Sequence, residues 1–88
     1  MKVHKAKTHE LKTWPDEFQG IRSGFKHHEY RYDDRGFTEG DILILREWDP
    51  VTSTYSGESI KVRVSYLSRD GFGIPAGFCV MSIERVTP

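Results

Sequence analysis

From Ser59 to Leu67 the chain alternates without a break. Ile60, Val62, Val64 and Tyr66 fall on one side of an extended strand, with Lys61, Arg63 and Ser65 on the other. A period of two over this length requires a sheet with one buried and one solvated face, and the remaining segments must supply its partner strands. Residues 41–48, Asp-Ile-Leu-Ile-Leu-Arg-Glu-Trp, begin apolar on both faces, as expected of a strand covered on both sides. Residues 25–32 and 78–85 read as further strands, and residues 8–12 as a short extended segment. Asp33-Asp34-Arg35-Gly36 has turn chemistry, residues 49–58 read as a long polar hairpin loop, and a Gly/Pro-bearing loop at 70–75 leads to the last strand. Only one stretch has helical signals. Pro15 suits the first turn, Asp16 and Glu17 suit the positive end of the helix dipole, and Gly24 suits the stop. Trp14, Phe18 and Ile21, at i, i+4 and i+7, form a stripe predicted to face the core. Gly20 inside this helix costs about 1 kcal/mol relative to Ala, so packing rather than propensity must hold it.

The order is therefore strand, helix, then four strands, within 88 residues that leave room for one domain spanning 1–88. We expect a mainly β (α+β) fold: a small curled β-barrel of about five strands, with the helix after the first strand covering one opening. Residues 1–7, with Lys2, His4, Lys5 and Lys7, read as a flexible N-terminal arm in preference to an added first strand. Thirteen basic and thirteen acidic side chains cancel, which excludes a bulk electrostatic DNA-coating protein but leaves room for a local basic patch. The lone Cys79 lies in the apolar run Phe78-Cys79-Val80-Met81 and reads as a buried hydrophobe, with no disulfide framework. The charged start lacks a signal-peptide apolar region, and no apolar run approaches the ~20 residues of a membrane span. A soluble, cytoplasmic monomer without membrane partners is expected.

The stretch richest in chemistry is Ser23-Gly24-Phe25-Lys26-His27-His28-Glu29-Tyr30-Arg31, directly after the helix stop. On a regular strand Glu29 and Arg31 share a face and can form a charge-assisted hydrogen bond. Lys26 has the opposite parity and joins them only if it precedes the strand proper or lies at a bulge. The plain alternative is a solvated hairpin edge carrying an ion pair. His27 and His28 point to opposite faces of a strand, so no metal site is expected, and no motif calls for a cofactor. Trp14, Tyr30, Tyr32, Trp48, Tyr55 and Tyr66 are interleaved with Lys12, Arg31, Arg35, Arg46 and Arg63. Aromatic platforms beside cations are how single-stranded RNA is held, although Trp14, lying on the helix stripe, reads as core in preference to platform.

His9-Glu10-Leu11-Lys12, Trp14-Pro15, Phe18, Gly24, Lys26, Glu29 and Arg31 resemble the opening of small ASCH domains of the PUA-like superfamily, in particular a short branch found in phage and bacteria. Phe37, Gly40-Asp41, Leu45, Glu47-Trp48-Asp49-Pro50, Tyr55-Ser56-Gly57, Val64-Ser65-Tyr66, Gly71-Phe72-Gly73 and Val80-Met81-Ser82-Ile83 continue the resemblance over roughly residues 8–84. It implies a PUA-like barrel that binds RNA or a nucleotide in a cleft between helix and barrel. The binding residues would be Lys12, Trp14, Lys26, Glu29 and Arg31. The chain is also similar, more distantly, to small amidohydrolases that deacylate the exocyclic nitrogen of cytidine. For these the resemblance implies catalytic roles for Lys26 and, in place of the usual Thr nucleophile, Glu29. A carboxylate does not simply replace a hydroxyl nucleophile, and the Leu67–Phe78 connection is too short for the helical insertion of those enzymes. Three readings result: an RNA- or nucleotide-binding module, a small amidohydrolase acting on N4-acylated cytidine-like nucleosides, and a protein-interaction module.

Overall fold

A computed structural model describes residues 5–87. Most of the expected N-terminal arm, residues 1–4, lies outside the described residues. The elements run β1 (Thr8–Thr13), α1 (Pro15–Arg22), β2 (His28–Tyr32), β3 (Ile42–Asp49), β4 (Thr54–Ser68) and β5 (Phe78–Arg85). They form one five-stranded sheet in the order β1-β3-β4-β5-β2, in which β1 pairs β3 in parallel and all other pairs are antiparallel. The sheet curls into a half-barrel with α1 packed against it. This is the mainly β fold, with one helix after the first strand, that the hydrophobic periodicity predicts.

The concave face holds the core: Leu11 from β1, Phe18 and Ile21 from α1, Leu43 and Leu45 from β3, Ile60, Val62 and Val64 from β4, and Cys79, Met81 and Ile83 from β5, joined by Phe37. Burial raises the Cys79 thiol above its ordinary pKa, so it behaves as the small hydrophobe its surroundings predict. At the start of β3, Asp41 is fully buried. Its carboxylate accepts hydrogen bonds from the Lys7 N–H (3.0 Å), the Thr38 N–H (3.0 Å) and the Thr38 hydroxyl (3.0 Å), and it meets His9 Nε2 at 3.0 Å. This cluster fastens the chain entering β1 to the turn before β3.

Three expectations are corrected. The hairpin between β3 and β4 is short rather than a loop over 49–58. Asp49 accepts the Val51 N–H on its side chain and the Ser53 N–H on its carbonyl, and β4 begins at Thr54, so that Tyr55 pairs with Trp48. The unbroken alternation ends at a bulge between Val64 and Tyr66 in the ladder with β5. One extra residue reverses the parity of the rest of the strand, so Tyr66 faces solvent and Leu67 packs against the core instead. The third concerns β2, which starts only at His28 and leaves Phe25, Lys26 and His27 as a linker from the helix.

Candidate functional site

The helix stop sets the position of Lys26. Gly24 is left-handed (φ 87°), its N–H bonds the Ile21 carbonyl, and the Phe25 N–H reaches back to the Gly20 carbonyl. These two bonds make a Schellman cap, which turns the chain sharply off the helix end. The Lys26 N–H also bonds the Gly20 carbonyl at 3.0 Å, so the lysine stem lies across Gly20. A Cβ at position 20 would meet Lys26 Cβ at 3.3 Å. The glycine that is costly inside a helix is thus where Lys26 crosses. Gly20→Ala should recover helix propensity of about 1 kcal/mol only by displacing Lys26. In a thermal melt we therefore expect a gain well short of that figure, accompanied by shifts of the Lys26 resonances.

Because Lys26 precedes β2, the parity obstacle vanishes. Its ammonium lies 2.7 Å from Glu17 Oε1, on the first turn of α1, and 3.5 Å from Glu29 Oε1. Glu29 and Arg31 sit on the core-facing side of β2, opposite Met81 and Cys79 of β5, and Arg31 Nε donates to Glu29 Oε2 at 2.8 Å. Glu29 is 3% exposed. The arrangement is a buried carboxylate held between two cations, not a solvated hairpin edge. The Lys26 hydrogen bond and its charge hold the Glu17 carboxyl below its ordinary pKa.

These groups line a concavity of about 170 Å³ with Lys12, Thr13, Trp14 and Tyr30. All five residues expected to bind, Lys12, Trp14, Lys26, Glu29 and Arg31, border it. Trp14 does so because it is not part of the core stripe. It caps the helix in an extended conformation (φ −63°, ψ 151°) and is 59% exposed at the rim. Lys12 lies 4.4 Å over the Trp48 ring and so flanks the opening instead of entering it. Sequence reasoning missed Glu17 and Thr13 as wall residues, and Tyr30, one of the aromatics it named, borders the concavity while its ring stacks on Phe78. In the sequence Glu17 signals only the helix dipole, and nothing local marks its convergence with Lys26.

The concavity sits where the two edges of the curled sheet approach each other. Arg31 Nη2 donates to the Lys12 carbonyl (2.9 Å) and Thr13 Oγ1 (3.4 Å), and Arg35 Nη1 donates to the Glu10 carbonyl (2.9 Å). The half-barrel is therefore bridged from β2 to β1 by guanidinium groups rather than by a backbone ladder.

The family model for a domain of unknown function, DUF3850, matches residues 8–83, nearly the whole sheet and all of the site. The chain belongs to this family. It is also similar to a curated protein of Escherichia phage P2, described as an uncharacterized 12.9 kDa protein in the GpA 3′ region, with 37% identity over 60 residues. That alignment covers 68% of this chain and 53% of the relative, so the chain spans about half the length of the curated protein it matches. No helix among the described residues is long and apolar enough to cross a membrane.

Proposed function

We propose that this DUF3850 domain is a small ASCH-type, PUA-like module that binds RNA or a nucleotide, holding one base in the concavity between α1 and the edge of β2. The observation that carries this reading is the convergence of Lys26, Glu29 and Arg31 on one hollow beside the exposed Trp14 ring. Its volume lies well below the ~300–1,000 Å³ of pockets that enclose a drug-sized ligand, which suits a single planar base. Trp14 offers a face for stacking, and the cations offer donors to phosphate or to base acceptors. Glu29 can accept from an exocyclic amine, as carboxylates do with cytosine.

The same geometry favours binding over amide hydrolysis. Glu29 presents one oxygen to Arg31 and the other to Lys26, which fixes it as an oriented acceptor. The connection between β4 and β5 carries no helix. Titration of the labelled protein with the four ribonucleoside monophosphates at low salt tests the reading. Shifts should cluster at Trp14, Lys26, Glu29 and Arg31, and Lys26→Ala or Arg31→Ala should each weaken affinity by about tenfold, the loss of one charge-assisted hydrogen bond. Undetectable affinity, or affinity indifferent to both substitutions, would refute it. A stable protein complex formed in place of nucleotide binding would favour the interaction-module reading.

A further inference from the structure

The bridged seam between β1 and β2 carries a second feature, a groove of about 380 Å³ on the outer face. Among its lining residues are Lys12, Arg31, Arg35 and Arg46, with Glu10 as the single acid. In a chain whose charges cancel overall, this is a local surplus of positive charge. Lys12 and Arg31 line both this groove and the base-sized concavity, so the two adjoin across the Arg31–Lys12 bridge. Aromatic rings back the cations: the Arg46 guanidinium lies 3.9 Å over Tyr55, and Lys12 lies over Trp48.

Two details suit this groove to a run of phosphates. Arg35 is 43% exposed, and its hydrogen bond to the Glu10 carbonyl, with a loose 3.9 Å ion pair to Asp34, leaves most of its five donors open. The Arg46–Glu10 pair is long, at 3.5 Å, between side chains 41% and 67% exposed, so a phosphate competes with it at little cost. The groove follows β1 from Glu10 to Lys12, about 7 Å at the ordinary strand rise, or about two of the ~3.4 Å steps between successive nucleotides of a stacked strand.

We infer that the seam is the path of a single-stranded oligonucleotide, with one base in the concavity and the phosphates of adjoining nucleotides on Arg35 and Arg46. This rests on the base-binding reading and narrows its ligand from a mononucleotide to a short strand.

The test compares each ribonucleoside 5′-monophosphate with its homotetranucleotide, by titration from low to moderate salt. The monophosphate reaches only the concavity and sets the baseline. The best-bound tetranucleotide should bind at least about tenfold tighter than its monophosphate, with a log–log salt slope steeper by about 1.4, the value for two single-strand phosphates. In the Arg35→Gln/Arg46→Gln double variant that advantage should collapse toward the monophosphate level. The corresponding double Lys variant, which keeps both charges, should retain most of it. Arg63→Gln removes a charge from β4, two strands away from the seam, and should leave the advantage intact. Circular dichroism on each variant establishes that it is folded. A tetranucleotide no tighter than its monophosphate, or an advantage lost equally in Arg63→Gln, overturns the strand path and leaves the base site standing. Binding of neither ligand overturns both.

Discussion

Replacing Asp41 by Ala should cost about 3–5 kcal/mol, read as a shift of the urea midpoint with little change in slope. Asp41 is fully buried, and its carboxylate serves the Lys7 amide, the Thr38 amide and hydroxyl, and His9. Truncation strands these partners in an interior they share with Phe37, whose ring meets His9 edge-on at 4.9 Å. A domain of this size has a total stability of only ~4–13 kcal/mol, so the variant sits near the limit of folding. Burial alone would raise the Asp41 pKa. The hydrogen bonds from Lys7, His9 and Thr38 outweigh it and bring the carboxyl down from 3.8 to about 2. A folded pKa below the unfolded one gives stability that is complete above pH ~4 and is lost as the pH falls toward 2. The loss is about 2 kcal/mol for this group. Asp41→Asn, which cannot titrate, should be less stable than the parent at neutral pH and should show a shallower decline between pH 4 and 2. A parallel decline in parent and Asn variant would mean that other carboxylates dominate acid unfolding.

The second large effect is expected at Glu29. Glu29→Ala removes the shared counter-ion of Lys26 and Arg31, which are themselves only 14% and 25% exposed. Breaking a buried pair from one side leaves uncompensated charge. Here Lys26 keeps Glu17 at 2.7 Å while Arg31 loses its carboxylate, and both cationic side chains can reach toward water. We expect a loss of about 2–4 kcal/mol. Glu29→Gln retains an acceptor for Arg31 and should lose less. The Arg22–Glu58 pair, with both side chains half exposed, provides the contrast, and Arg22→Ala should cost no more than about 1 kcal/mol. Equal losses at Glu29 and Arg22 would show that the site carboxylate is no better buried than a surface ion pair.

What could be foreseen from the sequence divides along physical lines. Strand and helix content was legible because Ile60, Val62 and Val64 keep a period of two, and Phe18 and Ile21 are spaced to share one helix face. The shared face of Glu29 and Arg31 came from the same parity rule, as did the condition that Lys26 precede the strand or lie at a bulge. Tyr66 escaped because a bulge adds a residue to one strand without any mark in its side chains. Trp14 departs from its stripe because stripe spacing assumes helical dihedrals, and the N-cap residue is extended. The His9–Asp41 and Lys26–Glu17 contacts join positions whose proximity depends on the completed sheet and on where the helix docks. The two guanidinium bridges depend on how far the sheet curls, which no local pattern records.

Those bridges have a consequence for how molecules of this protein meet one another. The outward carbonyls of Glu10 and Lys12 belong to a strand paired on one side only, and Arg35 and Arg31 occupy them. Without those caps β1 would present a free template to the β1 of a neighbour, so the same arginines that shape the groove also discourage edge-to-edge pairing of two molecules at high concentration.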